Sequence, residues 1–430
     1  MRFECSLEEY KKYKLGELVE NVVAGATPKT SVDDYWNGGD IPWLSSGEVH
    51  KKFIYFTDKF ITSEGYNNSS TKIVPTNSVL IALAGQGKTR GTVAINKIEL
   101  CTNQSIASII PNEMLNYKYL FYYLESKYEY LRALSSSDGG RGGLNLKLIR
   151  SIPIQVPSIK EQENISNFIN EIDKKILLLE QKHKLYDDFK KYLMQQIFTQ
   201  KLRFDFSDEW KIVKLESLIK KGKAGGTPSS TNSDYYNGDI PFLSIKDMTD
   251  QGKYIVKTEK TITEEGLNNS SAWIIPKNSL LYSIYASIGL VAINRSDIST
   301  SQAIYGIILK DGVSLEYMYY YLTYFKKNIH KYIETGTQGN LNAKLLKSFE
   351  ILLPSLGEQE MIVNVLSIVD EKIENSKKEI EKINEFKKGL LQQMFVVRIN
   401  WRCNFKLVKS PSFNKHLLIL KNKIIFIIIK

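Results

Sequence analysis

The sequence predicts a mixed α/β (α+β) protein: two copies of a globular domain, separated by two long helices that form an antiparallel coiled coil. Three observations carry this expectation. They are an internal repeat, strand-and-turn patterning in the first part of each repeat, and apolar heptads in the second. Gly25-Ala26-Thr27-Pro28 returns as Gly225-Gly226-Thr227-Pro228, and Tyr35-Trp36-Asn37-Gly38-Gly39-Asp40-Ile41-Pro42 as Tyr235-Tyr236-Asn237-Gly238-Asp239-Ile240-Pro241. Asn67-Asn68-Ser69-Ser70, Val93-Ala94-Ile95-Asn96 and Leu144-Asn145 recur in the same order at 268–271, 291–294 and 341–342. The offset drifts by a few residues between blocks, as expected of loops that vary on a retained scaffold.

Within each repeat the globular part comes first. Val79-Leu80-Ile81-Ala82-Leu83 and Thr92-Val93-Ala94-Ile95 read as strands between glycine-rich turns. A tyrosine-rich helix follows over roughly 117–134, with Leu120, Leu124, Tyr128 and Leu131 at helical spacing; Met318, Leu322, Phe325 and Ile329 repeat it. Next come a glycine-rich loop, Asp138–Gly143 or Gly336–Gly339, an alternating strand through Ile152, Ile154 and Val156, and a closing proline at Pro157 or Pro354.

The second part of each repeat predicts one long helix, opened by Glu161-Gln162-Glu163 or Glu358-Gln359-Glu360, whose acids suit a helix N-terminus. Ile165, Ile169, Ile172, Ile176, Leu179, Tyr186 and Leu193 keep heptad spacing, as do Ile362, Leu366, Val369, Ile373, Ile380, Ile383 and Leu390. Roughly thirty-five residues make a helix of about 50 Å, which needs a partner along its seam. The equally long partner in the chain is its own copy. His183 falls on this seam opposite an isoleucine of the repeat, and reads as packing or a register device rather than a ligand. The expected organisation is a globular domain over 1–154, a helix over 155–200, a second domain over 201–351, a second helix over 352–396, and a divergent basic tail over 397–430.

Composition limits the function. The 430 residues are 43% hydrophobic and 24% charged, which is globular usage. Cys5, Cys101 and Cys403 have no close spacing, which disfavours a disulfide framework or zinc cluster and favours a reducing cytoplasm. No apolar run approaches membrane-spanning length and the N-terminus has no signal-peptide pattern, so no membrane role is expected. The net charge of +11 is a weak nucleic-acid signal, because residues 397–430 hold eight Lys and Arg and no acid. That tail stops following the repeat after Phe395 and reads as a recombined or frameshifted gene end; a basic DNA or membrane-surface anchor is the rival reading.

The Gly-Thr-Pro turn, the Tyr-[Trp/Tyr]-Asn-Gly-Asp-Ile-Pro block, Pro-Ser-[Ile/Leu]-x-Glu-Gln-Glu and the helix ends Gln195-Gln196-Ile197-Phe198 and Gln392-Gln393-Met394-Phe395 together strongly resemble the specificity subunit of type I restriction-modification systems. The resemblance covers about residues 1–396. It implies two target-recognition domains, each reading one half of a bipartite, asymmetric site on double-stranded DNA. It also implies helical spacers holding two adenine methyltransferase subunits, with nuclease/translocase subunits joining the larger assembly, and no chemistry or cofactor in this chain. In agreement, adjacent prolines are absent, so the Asp/Asn-Pro-Pro-Tyr motif of adenine methyltransferases is missing, as are a Phe-x-Gly-x-Gly loop and a His-Glu-x-x-His site.

Candidate DNA-binding residues sit on the loops. Lys88 and Arg90 can approach phosphates or base edges; Arg141, among glycines, suits guanine, while Gln338 and Asn340 in the related loop suit adenine. Thr27 with Lys29, and Thr227 with Ser229, place polar groups on a sharp turn that could bond phosphate or merely stabilise the turn. Tyr122, Tyr123, Tyr319, Tyr320 and Tyr321 could stack on bases, but their helical spacing favours the core. Asp40 and Asp239 read as turn residues. One alternative is a P-loop nucleotide-binding protein using Ala82–Thr89, a loose Walker A match, disfavoured by the strand after it and by the missing lysine in the second copy. Another is a repeat adhesin or carbohydrate-binding module, which would call for an export signal.

Overall fold

The computed structural model describes residues 10–85, 87–134, 143–285, 287–331 and 341–395. The described residues fall into two compact units: those up to Leu177 together with those from Glu381 onward, and Leu178–Ile380. Arg141, Gln338, Asn340 and the tail lie outside the described residues.

In the first unit the chain runs β1 (Lys11–Lys14), β2 (Val19–Ala24), β3 (Ile41–Leu44), β4 (Phe53–Ile54), β5 (Lys59–Ile61), α1 (Ser63–Asn67), β6 (Val79–Ala82), β7 (Val93–Asn96), β8 (Cys101–Thr102) and β9 (Ile106–Pro111). It continues with α2 (Tyr117–Ser126), α3 (Tyr128–Leu134), α4 (Leu146–Ser151), β10 (Pro153–Val156) and the long α5 (Ile159–Phe198). The strands make a five-stranded sheet, β2-β9-β6-β7-β4, a three-stranded sheet, β5-β3-β8, and the antiparallel pair β1-β10. Among the described residues of this unit, only β4-β7 and β3-β8 pair in parallel.

The continuous apolar run of β6 follows from its place at the centre of a sheet covered on both faces. Val79 and Ile81 enter a core with α2 and α5, while Leu80 and Ala82 enter a separate core with Leu44, Val49 and Ile54. Alternation along the strand therefore divides one apolar run between two cores.

The tyrosines of α2 are core residues. Asn116 caps the helix, accepting from the Lys118 and Tyr119 amides, and Tyr119 to Leu124 are all buried. Each buried phenol finds an acceptor, which explains tyrosine rather than phenylalanine there. Tyr119 donates to the Gln155 carbonyl at 2.8 Å, Tyr122 to Asp173 at 3.0 Å, and Tyr123 to the Pro153 carbonyl. The helix expected over 117–134 is broken at Lys127. The Ser126 hydroxyl bonds back to the Tyr123 carbonyl at 2.6 Å and the Lys127 amide closes a tighter turn onto Leu124, so α3 starts afresh.

The second unit repeats the plan with β11 (Lys211–Lys214), α6 (Leu215–Leu218), β12 (Ile219–Ala224), β13 (Tyr236–Leu243), α7 (Ile245–Gln251), β14 (Tyr254–Ile255), β15 (Lys260–Ile262), α8 (Glu264–Asn268), β16 (Leu280–Ser283), β17 (Val291–Asn294), β18 (Ser299–Thr300) and β19 (Ile304–Leu309). Then come α9 (Leu315–Phe325), a 3-10 turn over Lys326–Lys331, α10 (Ala343–Lys347), β20 (Glu350–Leu353) and α11 (Leu356–Phe395). Its sheets, β12-β19-β16-β17-β14, β15-β13-β18 and β11-β20, have the same order as those of the first unit.

The long helices run antiparallel, and each unit contains one end of the pair. In the first, Ile165 and Ile169 of α5 share a core with Leu391 of α11; in the second, Leu193, Ile197 and Phe198 of α5 share one with Ile362, Leu366 and Val369. The phenylalanine ending each helix packs on a tyrosine helix. Phe395 lies 5.3 Å from Tyr119, and Phe198 lies 5.3 Å from Tyr321. His183 Nδ1 lies 2.7 Å from Ser376 Oγ, a polar contact within the apolar seam of the second unit.

A charge pair at least partly buried accompanies each end. Lys387 contacts Asp173 and Glu125, each at 2.7 Å, and its side chain is only 7% exposed. Lys190 meets Asp370 at 2.5 Å, and Tyr320 donates to that aspartate at 2.6 Å. Burial alone would raise the Glu125 carboxyl, but Lys387 and Lys52 outweigh it and hold the group below its usual range. Because the folded-state value is depressed, Glu125 stabilises the fold above the ordinary carboxylate pKa, and this contribution is lost as pH falls through the folded-state value. Replacing Lys387 with Met leaves the partly buried Asp173 without its ammonium and Glu125 with Lys52 alone, and is expected to cost about 3 kcal/mol in denaturant unfolding at neutral pH. Glu125→Gln should lose less stability than wild type between about pH 5 and 3. An equal acid sensitivity of the two proteins would contradict this assignment.

Candidate nucleic-acid interface

Four loops meet at one edge of the first unit, joined by a chain of short-range contacts. After β2, Gly25 lies against the end of β8 so tightly that a Cβ there would sit 1.8 Å from the Thr102 carbonyl oxygen. Only glycine permits that approach. The turn continues to Thr27, whose hydroxyl donates to Gln104 Oε1 at 2.6 Å, in the loop after β8. The next residue, Ser105, accepts from the Leu83 amide at 2.8 Å at the root of the β6–β7 hairpin, and the Leu83 carbonyl accepts from Leu144 at 3.1 Å. Leu144 is where the chain returns from the glycine-rich segment.

The hairpin loop is held from behind by α3. Tyr128 donates to the Lys88 carbonyl at 2.9 Å and Arg132 to the Gly87 carbonyl at 2.7 Å. Gly91, at φ +82°, closes the loop in a conformation that other residues rarely adopt. Lys88 and Lys29 are exposed, Thr27 and Arg90 half-buried. Thus Thr27, Lys29, Lys88 and Arg90 share one edge.

The second unit builds the same edge. A Cβ on Gly225 would sit 2.1 Å from the Thr300 oxygen, Thr227 donates to Gln302 Oε1, Ile284 donates to the Ala303 carbonyl at 2.8 Å, and Leu341 donates to the Ile284 carbonyl at 3.2 Å. Thr227 and Ser229 are exposed, and Ser229 Oγ bonds Thr231 Oγ1 at 2.7 Å. The hairpin here is shorter, with Tyr285, Ser287 and Ile288 in place of the Gly87–Arg90 segment.

Ala82–Thr89 is not a phosphate loop. It joins antiparallel β6 and β7, with Leu80 opposite Ala94, and no helix begins after Lys88 to present amide groups to a phosphate. Among the described residues no group of His, Cys, Asp or Glu could hold a metal ion, and no helix is long and apolar enough to cross a membrane. Cys101 is buried, and burial raises its thiol pKa.

Two functional features escaped the sequence reading. Gln104 and Gln302 were legible as a repeated Thr-x-Gln, Thr102-Asn103-Gln104 and Thr300-Ser301-Gln302, but nothing in the pattern joins them to the Gly-Thr-Pro turn. The glutamine of each Glu-Gln-Glu is a buried clamp. Gln162 Oε1 accepts from the Asn116 amide at 2.9 Å, and its Nε2 donates to the Met114 and Pro157 carbonyls at 3.0 Å. Gln359 likewise accepts from the Ser314 amide at 2.8 Å and donates to the Pro354 carbonyl at 3.0 Å. Gly25→Ala should lower stability by about 1–3 kcal/mol in thermal or denaturant unfolding, as overpacking does; a neutral effect would show that the turn does not need this approach.

The family model described as the type I restriction modification DNA specificity domain matches twice, over residues 7–185 and 207–385. The MjaIX specificity subunit of a Methanocaldococcus jannaschii type I restriction enzyme is 35% identical over 210 residues, 48% of this chain and 46% of that protein. The chain spans about half the length of that relative. The MjaVIII specificity subunit from the same organism is 23% identical over 418 residues, 91% of this chain and 93% of its own length. In fold, the chain resembles the S subunit of a type I restriction-modification system from M. genitalium, with a TM-score of 0.54 at 14% identity, covering 92% of this chain and 99% of that one. The chain belongs to the type I restriction-modification DNA specificity family, and carries the family's domain twice.

Proposed function

We propose that each unit reads one half of a bipartite, asymmetric sequence on double-stranded DNA, within a cytoplasmic complex whose methyl transfer and cleavage are done by other chains. The observation that carries this is the loop edge built twice on one scaffold with different side chains at its tip. Lys88 and Arg90 in one unit face no lysine or arginine counterpart in the shorter hairpin of the other, and Lys29 is replaced by Ser229. Equal scaffolds with unequal tips are what two different half-sites require. Lys29, Lys88 and Ser229 serve as phosphate contacts, with Thr27 and Thr227 bracing the same edge through Gln104 and Gln302, and with Arg90 and Arg141 at base edges of one half-site and Gln338 and Asn340 at those of the other. The boundaries proposed for these reading domains are 1–154 and 201–351, with the helices over 155–200 and 352–396 between them.

The helices hold the partners. On α5 within the second unit, Leu178 (61%), Leu185 (68%), Phe189 (50%) and Tyr192 (58%) are exposed along a stripe apart from the buried seam, as is Ile368 (56%) on α11. Such a stripe of large apolar side chains is suited to cover by another chain. Two adenine methyltransferase subunits are the proposed occupants, with nuclease/translocase subunits joining the larger assembly.

Mapping modified adenines in a host carrying this chain with its methyltransferase partner is expected to show a split, asymmetric motif. Replacing residues 25–154 with those of a relative should change one portion of the motif; a change in both portions would contradict separate reading. Leu185→Asp with Phe189→Asp should leave the fold intact by circular dichroism and abolish co-purification with the methyltransferase. Retained co-purification would remove this face from the assembly.

A further inference from the structure

Beside the backbone contacts at its roots, the loop edge has a side-chain contact, Thr–Gln, that the two units share atom for atom. In both, the threonine hydroxyl of the Gly-x-Thr-Pro turn donates to the glutamine Oε1. Gln104 and Gln302 are exposed, and neither Nε2 meets an acceptor among the described residues. Around them the edge diverges, with Lys29 against Ser229 and the Lys88 hairpin against the Ser287 hairpin. A group kept identical in two domains that read different sequences serves a need common to both. That need is registration on the sugar-phosphate backbone, which has the same chemistry at every sequence.

We infer that Gln104 and Gln302 are sequence-independent phosphate anchors, each presenting its amide donor to a phosphate oxygen while Thr27 or Thr227 holds the other end; this rests on the DNA-reading function proposed above. The bonding favours this over base reading. Bidentate recognition of adenine needs the glutamine oxygen and nitrogen turned together to the base edge, and here the oxygen is turned to the threonine hydroxyl. Gly25 and Gly225, pressed against the strand that leads to each glutamine, keep the turn and the glutamine loop in register.

The test uses the full chain assembled with its methyltransferase subunits, a duplex bearing the mapped motif and a scrambled duplex. In the Gln104→Ala, Gln302→Ala double variant, affinity for both duplexes should fall by a common factor, about three- to tenfold per glutamine. The methylated motif and the salt dependence of binding should stay unchanged, because a neutral amide releases no counterion. Gln104→Glu should bind both duplexes more weakly still, through repulsion of phosphate. Thr27→Val should show the same sequence-independent loss as Gln104→Ala and add nothing to it when combined, which distinguishes positioning from general destabilisation. A changed base in the motif, or a loss confined to the target duplex, would make these glutamines base readers and overturn the inference, as would unchanged affinity for both duplexes. Failure of the unaltered complex to prefer its target would instead overturn the DNA-reading function itself.

Discussion

An ammonium, a carboxylate and a buried phenol, meeting once in each unit, tie the long helices to the globular parts. Lys387 of α11, Asp173 of α5 and Tyr122 of α2 converge in the first; Lys190 of α5, Asp370 of α11 and Tyr320 of α9 in the second. An apolar heptad seam alone tolerates sliding by a heptad, because one isoleucine packs much like the next. The buried Lys387 does not, since displacement leaves it unpaired away from water, and the half-buried Lys190 and Asp370 favour the same register by their pairing. The rest of each unit is hung from this point, with the other phenols of the tyrosine helix holding β10 or β20 and the five-stranded sheet lying against the same helix.

From that mount, rigidity passes to the loops through ordinary packing and backbone bonds. Gln162 and Gln359 fix the start of a long helix to the turn before a tyrosine helix, so the helix and the domain it follows cannot rotate independently. The sheet then carries the hairpin on β6 and β7, whose side chains are buried on both faces, and the Gly-x-Thr-Pro turn on the edge strand β2. The loops are consequently free to differ in sequence while their roots stay constant, which is the division of labour that the proposed reading of two half-sites needs.

Periodicity made a good deal of this readable. The heptads of Ile165 to Leu193 identified the seam, the helical spacing around Tyr122, Tyr123 and Tyr319 to Tyr321 identified core rather than base-stacking rings, and the strand after Lys88 argued against a phosphate loop. The misreading at Lys127 has a local cause: apolar spacing continues across 117–134, while the Ser126 hydroxyl diverts the backbone bond that a continuous helix would need. Glu161 and Glu358 were read as helix-dipole acids, yet Glu358 is fully buried against Arg203 and Trp210. A dipole argument sees only the helix on which a residue sits.

What the sequence determined by itself was the repeat, the faces of its helices and strands, and the family, because each of these is written in the spacing of residues close together in the chain. The tertiary structure decided which side chains meet: Lys387 with Asp173, His183 with Ser376, Thr27 with Gln104. Such pairs join positions far apart in the sequence, and no local period encodes them. They exist because packing removes water from both partners at once, so that each satisfies the other's charge or hydrogen-bonding capacity.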